Sequence, residues 1–151
     1  MIRLRGLSST DPGAPTGTWH IFRFSAQRNR FQLDAVQGPD AENFSLHRVS
    51  SNVNGEDAGV TAFEYIADVD GVFDEDAGEI RITAPLKELA RYEVIRKGTR
   101  FASFRSVSRR RVGYHGDLPV FSDNGAQPSD EARSNTATYA AGTASCVKVG
   151  Q

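Results

Sequence analysis

Between Thr18 and Tyr114 apolar and polar side chains alternate in short runs, the period of extended strands and not of helices. "TWHIFRFSA" sets Trp19, Ile21 and Phe24, with Phe22 at an ambiguous position, against polar neighbours. The "QRN" that follows predicts a turn, and "RFQLDAV" alternates again through Phe31, Leu33 and Ala35, so Thr18 to Val36 is expected to be a β-hairpin. After the break at "QGPDAEN", "FSLHRVS" predicts a third strand with an irregularity near its end. "SNVNGEDAG" is loop material, because Asn54-Gly55 is a strong turn signal. "VTAFEYIA" and "EIRITAPL" are further strands, and "PLKELAR" predicts one helical turn with Leu86 and Leu89 facing inward. Past a turn at Lys97-Gly98 comes a last long strand, with Phe101, Ser103 and Arg105 on one face and Ala102, Phe104 and Ser106 on the other.

Short strands separated by turn signals predict an all-β fold, an antiparallel β-sandwich of jelly-roll or immunoglobulin-like type, with at most one short helical turn. Residues 1–16, rich in Ser, Thr, Asp, Pro and Gly, are expected to be a flexible leader, and 17–151 a single domain. From about Tyr114 the composition turns to loop formers, with a late strand expected at "TATYAA" or "SCVKVG". A chain of 151 residues with 38% hydrophobic content can bury a core without a disulfide or metal. Nine phenylalanines can anchor that core, and Trp19, alternating among apolar residues, is expected within it.

Charge narrows the function classes. A formal net charge of −1 argues against a dedicated nucleic-acid binder, whose footprint is a strong basic excess. No stretch approaches the roughly twenty apolar residues of a membrane span, and "MIRLRGLSSTDPGAPTG" lacks the apolar centre of a signal peptide. This leaves two readings open: a cytoplasmic protein, or a segment of a longer exported chain. Cys146 is the only cysteine, with no adjacent His or acid to activate it.

The main lead is "ADVDGVFDEDAGEIRI", where Asp68, Asp70, Asp74, Asp76 and Glu79 place carboxylates at short intervals. Hard cations such as Ca²⁺ take six to eight oxygen ligands from loops of this kind, so these five are the candidate metal ligands. Counted from Asp68 they match acidic positions of a helical calcium-hand loop, but Phe73 stands where that loop needs glycine, and the flanks are strand-like. The alternative is a metal-free turn, with Asp70-Gly71 and Ala77-Gly78 as turn dipeptides around a brief "VFD" pairing and Arg81 neutralising part of the charge.

Other chemistry is sparser. His20, His47 and His115 lack metal-ligand spacing, and no Gly-x-Ser-x-Gly elbow occurs. Arg105, Arg109, Arg110 and Arg111 concentrate basic charge beside Tyr114, but a strand splits the run, with Arg109 and Arg111 on one face and Arg110 on the other.

"GTWHIFRF", "VDGVFDEDAGEIRITAPLKEL" and "SDNGAQPSDEARSNTATYAAGTASC" together resemble a β-rich domain found toward the C-terminus of exported bacterial, often actinobacterial, proteins, including subtilisin-like proteases. The similarity rests on Trp19, Ile21 and Phe24 in an opening strand and on Gly71, Phe73, Asp74, Gly78, Ile80 and Ile82 in a hairpin. Pro85, Leu86 and Leu89 follow that hairpin, and Asp130, Tyr139, Gly142 and Cys146 belong to the closing segment. Ala84 precedes Pro85 where valine is usual. The resemblance implies a noncatalytic accessory module, secreted or at the cell surface as part of a longer chain. The expectation is thus a binding module for a protein or glycan surface, with Ca²⁺ steadying the acidic turn. Two alternatives stand beside it: a small glycan-directed hydrolase using paired carboxylates, and a metal-free viral or cell-surface interaction protein.

Overall fold

A computed structural model of the chain describes residues 2–3, 17–38, 42–51, 61–92, 95–96, 98–115, 118–121, 130–134 and 139–140. The strands are β1 (Ile2–Arg3), β2 (Thr18–Ala26), β3 (Asn29–Gln37), β4 (Glu42–Ser51), β5 (Thr61–Asp68), β6 (Asp70–Asp74), β7 (Glu79–Thr83), β8 (Arg100–His115), β9 (Leu118–Phe121), β10 (Asp130–Ser134) and β11 (Tyr139–Ala140). A one-turn helix, α1 (Leu86–Leu89), follows β7. The fold is all-β, as the period-two pattern predicts. Its larger antiparallel sheet runs β10-β8-β2-β3-β4-β5, with β9 and β11 also paired to the long β8, and a smaller sheet runs β1-β7-β6.

The β2–β3 hairpin forms where the alternation predicts it, closed by a two-residue turn with Gln27 at φ 53°. Opposed pairs His20–Ala35, Phe22–Leu33 and Phe24–Phe31 set one face of the large sheet, called the inner face here because the small sheet packs on it. Phe22 and Ala35 meet Phe73 and Ile80 of the small sheet, with Leu33, Phe44 and Ile82 around them. Further along the same face, Ala26, Phe31, Leu46, Leu89 and Phe101 form a second buried cluster. Phe24 links its aromatic members, 5.6 Å from Phe31 and 5.7 Å from Phe101 between ring centroids. Each fully buried phenylalanine contributes about 1.5–3 kcal/mol by leaving water. His20 is also buried on this face; its Nδ1 lies 2.8 Å from Ser108 Oγ, its ring 6.0 Å from Phe73, and its Nε2 has no hydrogen-bond partner among the described residues.

Four expectations change. Trp19 and Ile21 alternate together, but onto the outer face of the sheet; the inner face takes His20, Phe22, Phe24 and Ala26, leaving Trp19 half-buried. Asp70-Gly71 is not a turn: both residues pair within β6, opposite Thr83 and Ile82, and the chain passes from β5 to β6 through Val69 alone. Gly71 is there for space, since a Cβ would overlap the Phe44 ring, which stacks 4.9 Å from Phe73. Leu86 is exposed while Leu89 is buried, because a single helical turn docks through one apolar side chain.

The fourth change is in β8. Its pairing with β2 shifts register between Arg23 and Ser25, so Ser103 and Phe104 together oppose Phe24, with Ser103 at φ 56°. The extra residue is a β-bulge, which flips the phase of every side chain beyond it. Phe101 and Phe104 therefore join the same cluster instead of opposite faces. Part of the expected leader, Ile2–Arg3, pairs with Ile80 and Glu79 of β7. β11 falls within the expected "TATYAA" strand; "SCVKVG", Cys146, the Asn54-Gly55 turn and residues 4–16 lie outside the described residues.

Candidate functional site

The five acidic candidates lie along the β5–β6–β7 segment. Asp68 ends β5 and hydrogen-bonds the Tyr65 side chain, and Asp70 opens β6 in an exposed position. Asp74 and Glu79 are opposed at the hairpin end, and Asp76 is exposed in the turn between them. The fold brings Asp74 and Glu79 together around Arg81, whose Nη2 lies 2.7 Å from Glu79 Oε2 and 3.6 Å from Asp74 Oδ2. Arg81 Nε donates to the same Glu79 oxygen at 3.1 Å, and that pairing raises the Arg81 pKa. Asp74 Oδ1 also accepts the Ala77 N–H at 2.9 Å, closing the turn. Among the described residues no three of His, Cys, Asp and Glu gather where they could hold a metal ion. Glu75, a sixth acid absent from the candidate set, accepts a 2.8 Å hydrogen bond from Gln37 Nε2 and ties the turn to β3.

A denser polar arrangement occupies the outer face of the large sheet. Asp34, only 6% exposed, accepts both hydrogen bonds of the Gln32 amide, at 2.8 and 3.1 Å. Gln32 Oε1 in turn accepts Arg23 Nε at 2.7 Å, so a carboxylate, an amide and a guanidinium form one chain of hydrogen bonds across β3 and β2. Burial raises the Asp34 pKa, opposed by the Gln32 hydrogen bond, by His47, by a Trp19 hydrogen bond and by Arg23. His47 Nε2 lies 3.2 Å from Asp34 Oδ2 and 3.0 Å from Ser45 Oγ. Both contacts fall on one ring nitrogen. A serine–histidine–acid relay needs the acid on the nitrogen opposite the nucleophile, so these three residues do not form one.

Arginine dominates the rest of this face. Arg23 is directly opposed to Arg105 of β8, and Arg105 to Arg133 of β10, which lines up arginine positions on three adjacent strands. Arg109 stands opposite Trp19 on the same face. Burial lowers the Arg23 pKa, followed by repulsion from Arg105, with Arg109 and Arg30 adding to it and Asp34 alone opposing. Like charges directly opposed across strands destabilise a sheet. Exposed aromatics flank the row: Phe63 and Tyr65 are 46% and 56% exposed on the edge strand β5, and the Arg23 guanidinium lies over Phe63 at 5.4 Å.

Between these groups lies a recess of about 120 Å³, lined by Arg23, Phe24, Ser25, Arg30, Val49 and Ser103. Ser25, Arg30 and Val49 are consecutive cross-strand neighbours on β2, β3 and β4, and Ser103 enters from the bulge in β8. Sequence reasoning singled out Arg105 and Arg109 but not Arg23 or Arg30, because their companionship depends on pairing β2 with a strand some eighty residues away. Among the described residues no helix is long and apolar enough to cross a membrane. No family model, curated protein or solved structure matches the chain.

Proposed function

We propose that the chain is a noncatalytic binding module for an anionic saccharide, held on the outer face of the large sheet. The observation that carries this reading is the row of opposed arginine positions, Arg23, Arg105 and Arg133, on adjacent strands. Arg105 repels Arg23, as the lowered Arg23 pKa records, and an anionic ligand across the two strands offsets that repulsion. The acidic β6–β7 hairpin belongs to the sheet packed on the opposite, inner face, so the protein's two charge concentrations are kept apart despite a net charge of −1. Trp19, Phe63 and Tyr65 supply aromatic surface beside the arginines, the residue combination that carries most binding energy at recognition surfaces. An accessory module of an exported chain, as the sequence resemblance implies, has use for such a surface.

Isothermal titration calorimetry with dextran sulfate and with neutral dextran tests the proposal. Saturable binding of the sulfated polymer only, abolished by the double substitution Arg23→Gln and Arg105→Gln, is the expected result. Equal binding of both polymers, or sulfated binding that survives the double substitution, would overturn it.

A further inference from the structure

The geometry points to the recess between Arg23 and Arg30 as the seat of a single oxyanion, a sulfate, phosphate or carboxylate group, and as the charge-reading subsite of the outer face. This inference rests on the anionic-saccharide reading and narrows it to one location. The recess has room for several waters, and hence for a tetrahedral anion, with Val49 and Phe24 among its lining and two arginines, Arg23 and Arg30, beside them. Arg23 commits Nε to Gln32, leaving its terminal amino groups for a ligand, and guanidinium donors suit the fork of an oxyanion. Ser25 donates its hydroxyl hydrogen to the Ala102 carbonyl at 3.1 Å, so it shapes the wall and offers no proton. Ser103 is exposed and joins the lining from a left-handed backbone position.

Two features mark the recess as prepared for a ligand. Arg23 is oriented from behind by the Asp34–Gln32 chain, and Asp34 is itself held by His47. Such supporting hydrogen bonds are what fix a binding group in advance. The β8 bulge places a non-glycine residue at φ 56° beside the opening, and strained backbone of this kind, like bulges themselves, concentrates at binding sites. The carboxylate acting on Arg23 is the buried Asp34, which is already engaged by Gln32 and His47.

The test follows the Arg23 Nε–H resonance and the amides of Ser25 and Ser103 by NMR during titration with sodium sulfate, sodium phosphate or sodium acetate, at ionic strength held constant with chloride. A saturable shift in at least one titration, weakened about tenfold by Arg30→Gln, the worth of one charge-assisted hydrogen bond, supports the inference. The anion that saturates first names the group recognised. Arg30 is exposed, so its replacement leaves the core intact, and Ser103→Gly provides a second, strain-relieving variant expected to weaken the shift as well. If dextran sulfate binds but no small oxyanion moves these signals and Arg30→Gln leaves polymer affinity unchanged, the recess is not the subsite while the broader function stands. If neither polymer nor small anion binds, both readings fall.

Discussion

His20 makes the protein acid-sensitive in a way that can be isolated. Its imidazole is 4% exposed, and burial lowers its pKa from 6.5 to about 4. Among the described residues, its neighbours Ser108 and Phe73 carry no charge, and burial alone sets the shift. Between those two pH values the unfolded chain binds a proton that the folded chain refuses, so stability falls as pH drops through this window. The slope is about 1.4 kcal/mol per pH unit, which over the whole interval comes to roughly 3 kcal/mol. Above the unfolded value both states are neutral and the contribution is constant. Urea unfolding of the wild type and of His20→Gln, from about pH 7.5 to about pH 4.5, measures it, because other carboxylates titrate alike in both proteins and cancel. The wild type is expected to lose stability relative to the variant progressively below about pH 6.5, approaching the full loss at the acid end. A difference that stays constant across the range would refute the burial argument.

Four further outcomes follow from packing and charge. Asp34 has a raised folded pKa, so its ionised form is a cost that grows as pH rises through that value; Asp34→Asn is expected to gain stability relative to wild type at neutral pH and to lose that gain in acid, read by urea midpoints. Phe31, fully buried between Phe24 and Tyr92, should cost about 3–5 kcal/mol when replaced by Ala, and Gly71→Ala about 1–3 kcal/mol by pushing on the Phe44 ring, both read by urea unfolding. Arg81→Ala strands the buried Glu79 carboxylate, so the melting temperature should fall, and adding Glu79→Gln should restore part of it; no recovery would mean the pair does not hold the hairpin.

The strands and their turns were legible because alternation and turn chemistry are local. "QRN", the Ala77-Gly78 turn and the inward set Phe31, Leu33 and Ala35 all read directly from neighbouring residues. What resisted reading depends on tertiary placement. The bulge at Ser103 changes the phase of β8 without any glycine or proline to announce it. Gly71 resembles a turn residue because its true reason, the Phe44 ring, comes from another strand. In the acidic hairpin the density of carboxylates is local, but the engagement of Asp74, Glu75 and Glu79 by Ala77, Gln37 and Arg81 appears only once the strands pair. The arginine face was visible only in half: β8 supplies Arg105 and Arg109 as a run, whereas Arg23 and Arg30 stand singly in the sequence until β2 and β3 pair beside it.

The proposed ligand surface is the outer face of the large sheet. Amide and arginine side-chain NMR mapping during titration with a sulfated oligosaccharide tests it most directly. The predicted shifts centre on Arg23, Gln32, Arg105, Val107 and Arg109, with the β6–β7 hairpin unmoved. Shifts confined to Asp70–Glu79, or to the inner cluster around Phe22 and Phe73, would contradict the account.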